Sequence, residues 1–159
     1  MTWKKAPGAE RYIIYGGVAG KKKPYKKLAI VTNRYWSQKK LKKGRCYKYV
    51  VAAVRGNSVV ALSKTINVAT KGGKYGNPKG VTVSKKKLTI KAGKTKKITA
   101  KLKKGRGILK FKNIRFESSD PQVATVTAKG KIKALAPGTC YIYAYAGNGA
   151  CARTKVIVK

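Results

Sequence analysis

Histidine is absent from this 159-residue chain, and only three carboxylates are present: Glu10, Glu117 and Asp120. Without histidine the chain lacks the most frequent general base near neutral pH and the most frequent metal ligand. Three carboxylates in the whole chain also fall short of the 6–8 oxygen donors that calcium normally takes. Cysteine is sparse, at Cys46, Cys140 and Cys151. An odd number with no CxxC spacing is neither a disulfide framework nor a zinc site, and no histidine stands by to form a thiol dyad. No run of about 18 apolar residues exists, which excludes a membrane-spanning helix. The opening Met1-Thr2-Trp3-Lys4 leads into no apolar segment, so targeting and anchoring signals are expected outside this chain. Nor does any stretch carry a helical apolar period. With no catalytic residue, metal ligand or cofactor site to name, the chain is expected not to be an enzyme.

Positive charge, by contrast, is abundant. Forty Lys and Arg against three acids give a net charge of +37, with 43% hydrophobic residues. That apolar fraction suits a folded chain, whereas small soluble domains typically carry a net charge of roughly 2–8 in magnitude. Only seven of the forty are Arg. Lysine is a hydrated point charge, while arginine supplies the planar fork used for bidentate base readout. The excess therefore fits non-specific contact with a polyanion: an anionic cell-wall polymer, an acidic glycan or, more weakly, nucleic acid. The lysines are spread along both halves, as a solvated basic surface also would be.

The length suits one domain or two small ones. A break is expected at Lys71–Gly80 (KGGKYGNPKG), where glycines and a proline interrupt all periodicity. This divides the chain into a domain over 1–71, a linker over 72–79 and a second domain over 80–159. The first half predicts strands at Arg11–Tyr15, Lys27–Thr32, Tyr35–Lys39, Cys46–Val54 and Val59–Val68, with Tyr47, Tyr49, Val51 and Ala53 facing inward. One of Tyr35 and Trp36 must be core and the other exposed. In the second half Val81–Val83 and Leu88–Ile90 are short strands. Lys96–Leu102 alternates with Ile98, Ala100 and Leu102 inward, and Phe116 enters the core. Ser118-Ser119-Asp120-Pro121 is a turn whose short side chains bond local backbone. Val123–Val126 pairs with Gly130–Leu135, and Thr139–Ala146 pairs with Cys151–Val158 around Asn148-Gly149. Read as a two-residue turn, this hairpin sets Cys140 opposite Ile157 and Cys151 opposite Ala146, a register that forbids a direct bridge. Short strands with Gly, Pro and Asn turns make the fold class all-β, as two tandem β-sandwiches.

Two stretches carry family resemblances. FESSDPQVATVTAKGKIKALAPGTCYIYAYAGNGACARTKVIVK (Phe116–Lys159) resembles the bacterial Ig-like domain of group 2, with Phe116 where that family often has tryptophan. TWKKAPGAERYIIY (Thr2–Tyr15) with LKKGRCYKYVVAAV (Leu41–Val54) resembles a fibronectin type III module. This second resemblance implies that Trp3 is the core tryptophan and that Leu41, Gly44 and Tyr47 form a tyrosine corner, the Tyr47 hydroxyl bonding back to backbone near Leu41. It also implies that the module's first strand or strands are missing here. Together they imply a slice of a modular bacterial protein, extracellular or at the cell surface.

The remaining candidates are few. Glu117 and Asp120 lie close together, but a turn-making Asp before Pro and a Glu among lysines explain them without chemistry. Tyr141, Tyr143 and Tyr145 alternate with Cys140, Ile142 and Ala144, so an inward aliphatic set turns three tyrosines outward, a possible ligand-contact surface beside lysines. Three functions follow as expectations: a spacer or adhesion module, a lysine-rich polyanion binder, and an assembly subunit completed by a strand from a neighbouring copy.

Overall fold

The computed structural model describes residues 1–20 and 25–159. The chain divides into two compact units, Met1–Gly76 and Asn77–Lys159. Strands and turns make up the secondary structure, with no helix among the described residues. The fold is all-β, of the Ig-like sandwich class.

The first unit holds β1 (Arg11–Val18), β2 (Lys26–Val31), β3 (Cys46–Arg55), β4 (Ser58–Leu62), β5 (Ile66–Ala69) and the two-residue β6 (Tyr75–Gly76). One sheet of order β2-β1-β3-β4 forms its frame, with β5 continuing beside β3. Val59–Val68 is therefore two strands, not one. The chain leaves the ladder at Ser63, whose N–H donates to the Val51 carbonyl while its hydroxyl oxygen accepts from the Val51 N–H. β4 then borders Ala52–Arg55 and β5 borders Cys46–Tyr49. On the inner face Tyr12, Ile14, Val51 and Ala53 form the core, covered by Met1, Trp3, Ala6, Ala9, Ala29, Val31 and Trp36. The covering layer is mostly irregular chain. The expected strand at Tyr35–Lys39 is a single bridge between Thr2 and Tyr35. Its local backbone bonds go to the N-terminal stretch, with Trp3 N–H donating to Arg34 O and Trp36 N–H to Met1 O. Trp36 packs inward with its ring edge-on to Tyr49, and Tyr35 is 64% exposed.

The second unit contains β7 (Gly80–Val83), β8 (Lys87–Ile90), β9 (Thr95–Lys97), β10 (Ala100–Lys103), β11 (Ile108–Leu109), β12 (Ile114–Ser118), β13 (Ala124–Val126), β14 (Lys131–Ala134), β15 (Gly138–Ala146) and β16 (Cys151–Val158). A four-stranded sheet, β12-β15-β16-β8, faces a layer made of β13-β14-β9 and β10-β7. β8 joins β16 in parallel, and the other pairs are antiparallel. Between the layers lie Leu88, Ile90, Ile98, Ala124, Ile132, Ala134, Cys140, Ile142, Val156 and Val158. A second cluster, Val81, Ala144 and Ala146, extends the core with Phe116 and Leu102 packed on it.

The expected continuous strand Lys96–Leu102 is split at Ile98-Thr99. β9 pairs with β14 and β10 pairs with β7, so the chain changes partner at this corner. Ile98 N–H donates to Gly130 O at 2.9 Å and Thr99 N–H to Ser84 Oγ at 3.0 Å, neither bond belonging to a regular ladder. Gly130 is required here: its φ is +76°, and a Cβ would sit 2.3 Å from the Ile98 carbonyl oxygen. The one buried polar side chain of the core, Thr154, donates its hydroxyl to the Lys85 carbonyl, which removes the cost of an unpaired hydroxyl in an apolar interior.

Candidate functional site

Strand alternation on β15 builds the site. Cys140, Ile142, Ala144 and Ala146 are buried, and each intervening tyrosine emerges half-buried on the outer face. Hydrophobic burial of the first set fixes the orientation of the second, because neighbouring side chains point to opposite faces. Tyr141 and Tyr143 have ring centroids 6.4 Å apart, and Tyr143 and Tyr145 stack at 5.7 Å.

The neighbouring strands complete the face with arginines. Register places Lys155 opposite Tyr141, Arg153 opposite Tyr143 and Cys151 opposite Tyr145 on β16. On β12, Glu117 lies opposite Tyr143 and Arg115 opposite Tyr145. Arg153 swings over the Tyr141 ring, 4.4 Å from its centroid, and Arg115 over Tyr145 at 4.8 Å. Such cation–π contacts contribute about 0.5–1 kcal/mol where exposed. A hydrogen bond to Tyr143 raises the Arg153 guanidinium further above its ordinary value, and burial pushes the Tyr145 phenol up. The face is thus a ladder of three tyrosines overlaid by two arginines. Its ring faces are partly taken up by each other and by guanidinium groups.

This register corrects the sequence expectation for the hairpin. Cys140 lies opposite Val156, not Ile157, and Cys151 opposite Tyr145, not Ala146. The connection is a three-residue loop, Gly147-Asn148-Gly149, with Gly149 at φ +87°. Gly149 N–H donates to Ala146 O, and Asn148 Oδ1 accepts from Ala150 N–H. A turn closed by a left-handed glycine is the usual three-residue solution. The shift turns Cys151 outward while Cys140 stays in the core, and all three cysteines are free thiols. Burial pushes the Cys140 thiol up, the opposite of an activated nucleophile.

Each acid is engaged by a neighbour in the fold. Glu10 Oε2 accepts from Gly56 N–H at 2.9 Å, Glu117 pairs with Arg115 at 2.8 Å, and Asp120 Oδ1 accepts from Gln122 N–H at 3.0 Å. Among the described residues no cluster of three His, Cys, Asp or Glu side chains is placed to hold a metal ion.

In the first unit Tyr47 lies on the inner face of β3, half-buried, and its hydroxyl oxygen accepts from Lys42 N–H at 3.1 Å, one residue beyond Leu41. Gly44 has φ +67°, and its N–H donates to Lys71 O. Thr70 fastens the same turn: its hydroxyl reaches the carbonyls of Lys42 and Arg45 and accepts from Arg45 N–H. Sequence reasoning did not single out Thr70, nor the arginines at 115 and 153. The three-residue loop would have placed Arg153 beside Tyr143; Thr70 gives no local signal, since its partners are about 25 residues away.

The comparisons with known proteins can now be set beside this geometry. No curated protein matches this chain in sequence. Among solved structures it is similar to domains 4 and 5 of the S-layer protein SbsC, at 20% identity and a TM-score of 0.44, covering 70% of this chain and 64% of that one. The longer S-layer structure rSbsC(31-844) aligns at 18% identity and a TM-score of 0.45 over 98% of this chain, which spans 21% of it. Chicken VE-cadherin EC1-2 aligns at 14% identity and a TM-score of 0.38, covering 100% of this chain and 89% of that one. Residues 77–157, half of the chain, match the model of the bacterial Ig-like domain (group 2), and the chain belongs to that family.

Proposed function

We propose that this chain is a non-catalytic module of a larger bacterial protein at the cell surface, serving as a spacer or adhesion element. The observation that carries this reading is the second unit. Its core is enclosed between two layers of strands, and both of its acids are engaged by near neighbours, Glu117 by Arg115 and Asp120 by the Gln122 N–H. Antibody raised against the chain is expected to label intact, unpermeabilised cells of the source organism. Labelling only after permeabilisation would overturn the surface assignment.

A second reading, polyanion binding, is favoured by a specific arrangement of charge. Lysines face each other directly across strands, Lys97 with Lys131 and Lys155 with Lys87. Like charges directly opposite destabilise a sheet, and an anionic polymer lying over them relieves that repulsion. Affinity for such a polymer is expected to fall log-linearly with salt, with a slope of about 0.9 per contacted phosphate in the case of duplex DNA. Salt-insensitive binding would argue against it.

A further inference from the structure

Beside Tyr141, the first half of β16, which β8 does not reach, borders β7 across a groove of about 450 Å³. This volume falls within the roughly 300–1,000 Å³ of small-ligand clefts. Its apolar lining includes Val81, 7% exposed, and Ala152. Around it stand four cationic side chains from three segments: Lys86 after β7, Lys103 at the end of β10, and Arg153 and Lys155 on β16. Among the described residues none of the four is paired with a carboxylate, since the ion pair of this unit joins Arg115 and Glu117.

We infer that this groove binds the acidic groups of a glycan chain, one short stretch of polymer at a time; the inference rests on the polyanion reading above. The argument has three parts. Four cations around one cleft repel one another, which a bound anion offsets, and Lys155 has a further lysine, Lys87, directly opposite it. Arg153 is anchored over the Tyr141 ring and hydrogen-bonded to Tyr143, and the remaining donors of its planar guanidinium are of the kind that grip a carboxylate or sulfate. The half-buried Val83 and Ala152 of the lining offer the C–H face of a sugar ring a surface between those charged contacts.

Nucleic acid fits the same groove less well. Single-stranded binding relies on aromatic faces open to stacked bases, whereas here Arg153 covers Tyr141, Tyr143 and Tyr145 stack on each other, and Arg115 covers Tyr145. Duplex readout relies on a helix or ribbon entering the major groove, and the cations here line a cleft instead.

The test uses the full chain at physiological ionic strength, with polygalacturonate, a heparin-like sulfated oligosaccharide and single-stranded DNA as probes in calorimetric titrations. The groove variant K86Q/K103Q/R153Q/K155Q is compared with K91Q/K94Q/K112Q/K133Q, which removes the same charge from exposed positions of the same unit outside the groove. The groove variant is expected to lose about tenfold or more in glycan affinity, and the control less than about threefold. The carboxylated and sulfated arms identify which acidic group is preferred. Equal losses in both variants would overturn the groove and leave the diffuse polyanion reading standing. No binding of any probe by the parent chain would overturn both. Binding of DNA as tight as that of the glycans, with the same dependence on the groove, would overturn the glycan assignment. Arg153→Lys keeps the charge and the fold while losing the fork, so a several-fold loss is expected from it alone. Glycan affinity unchanged from the parent would remove Arg153 from the site.

Discussion

The two units start from the same kind of sequence, short apolar alternations in a lysine-rich background, and reach different degrees of closure. In the second, two layers of strands enclose ten buried side chains, from Leu88 to Val158. In the first, one sheet carries a smaller buried cluster among the described residues, Tyr12, Ile14, Val51 and Ala53, roofed mainly by irregular chain. The cost shows in two places. Val59 and Leu62 on β4 stand 61% and 65% exposed, and Ile30 on β2 stands 52% exposed, at the two edges of the sheet. The indole Nε1 of Trp3 is buried without a hydrogen-bond partner, the one such side-chain atom among the described residues. An orphaned buried donor costs about 1–3 kcal/mol. A regular second layer aligns apolar rows against each other and leaves backbone groups paired. An irregular roof does neither as completely.

The largest expected contrast comes from emptying each core. Ile142 and Ile14 are both fully buried. Ile142→Ala is expected to cost about 4 kcal/mol and Ile14→Ala about 2 kcal/mol, measured by denaturant unfolding with a probe in each unit, because a loosely roofed site collapses around the vacancy more readily. Equal costs would show that the first core is as rigid as the second.

Next in size are two hydroxyl deletions. Thr154→Val removes the partly buried bond from a fully buried hydroxyl to the Lys85 carbonyl and is expected to cost about 1–2 kcal/mol. Tyr47→Phe removes the acceptor for Lys42 N–H, which water reaches, and is expected to cost about 1 kcal/mol or less. A larger loss from Tyr47 would mean that its corner, not the core, holds the first unit together.

A third contrast is alkaline. Burial, then the neighbouring Tyr47, pushes the Tyr49 phenol up to about 12. The protonated form is favoured in the folded state. Its stabilisation is therefore complete below the ordinary tyrosine value and lost as pH rises from about 10 towards 12. Absorbance titration at the tyrosinate band is expected to show a late phase that Tyr49→Phe removes. An unchanged late phase would assign it to another tyrosine.

The smallest effect concerns the β4 edge. Val59→Lys with Leu62→Lys is expected to change stability by less than about 0.5 kcal/mol. If the exposed edge recruits a strand from a second copy, light scattering of the parent chain will show a concentration-dependent oligomer that this variant abolishes. A monomer throughout would sink the assembly reading.

Much of this was legible in the sequence, for local reasons. Alternation in Thr139–Ala146 assigned the inner and outer faces of β15, and the same logic placed Tyr49, Val51 and Ala53 inward on β3. The misreadings share a cause: each depends on a partner remote in sequence. The split at Ile98 follows from Gly130 and Ser84, and the split at Ser63 from Val51. Tyr35–Lys39 has strand-forming residues but no adjacent strand to pair with beyond Thr2.

By itself, then, the sequence determined the all-β class, the face on which each residue of a strand lies, the excess of cations and the shortage of acids. These follow from composition and from a period of two, which need no knowledge of neighbours. Only the tertiary structure decided the hairpin register, the parallel docking of β8 on β16, and the convergence of Lys86, Lys103, Arg153 and Lys155 beside Tyr141. One extra loop residue moves a whole strand by one position, and groups 50 residues apart meet only when the layers close. No local pattern carries that information.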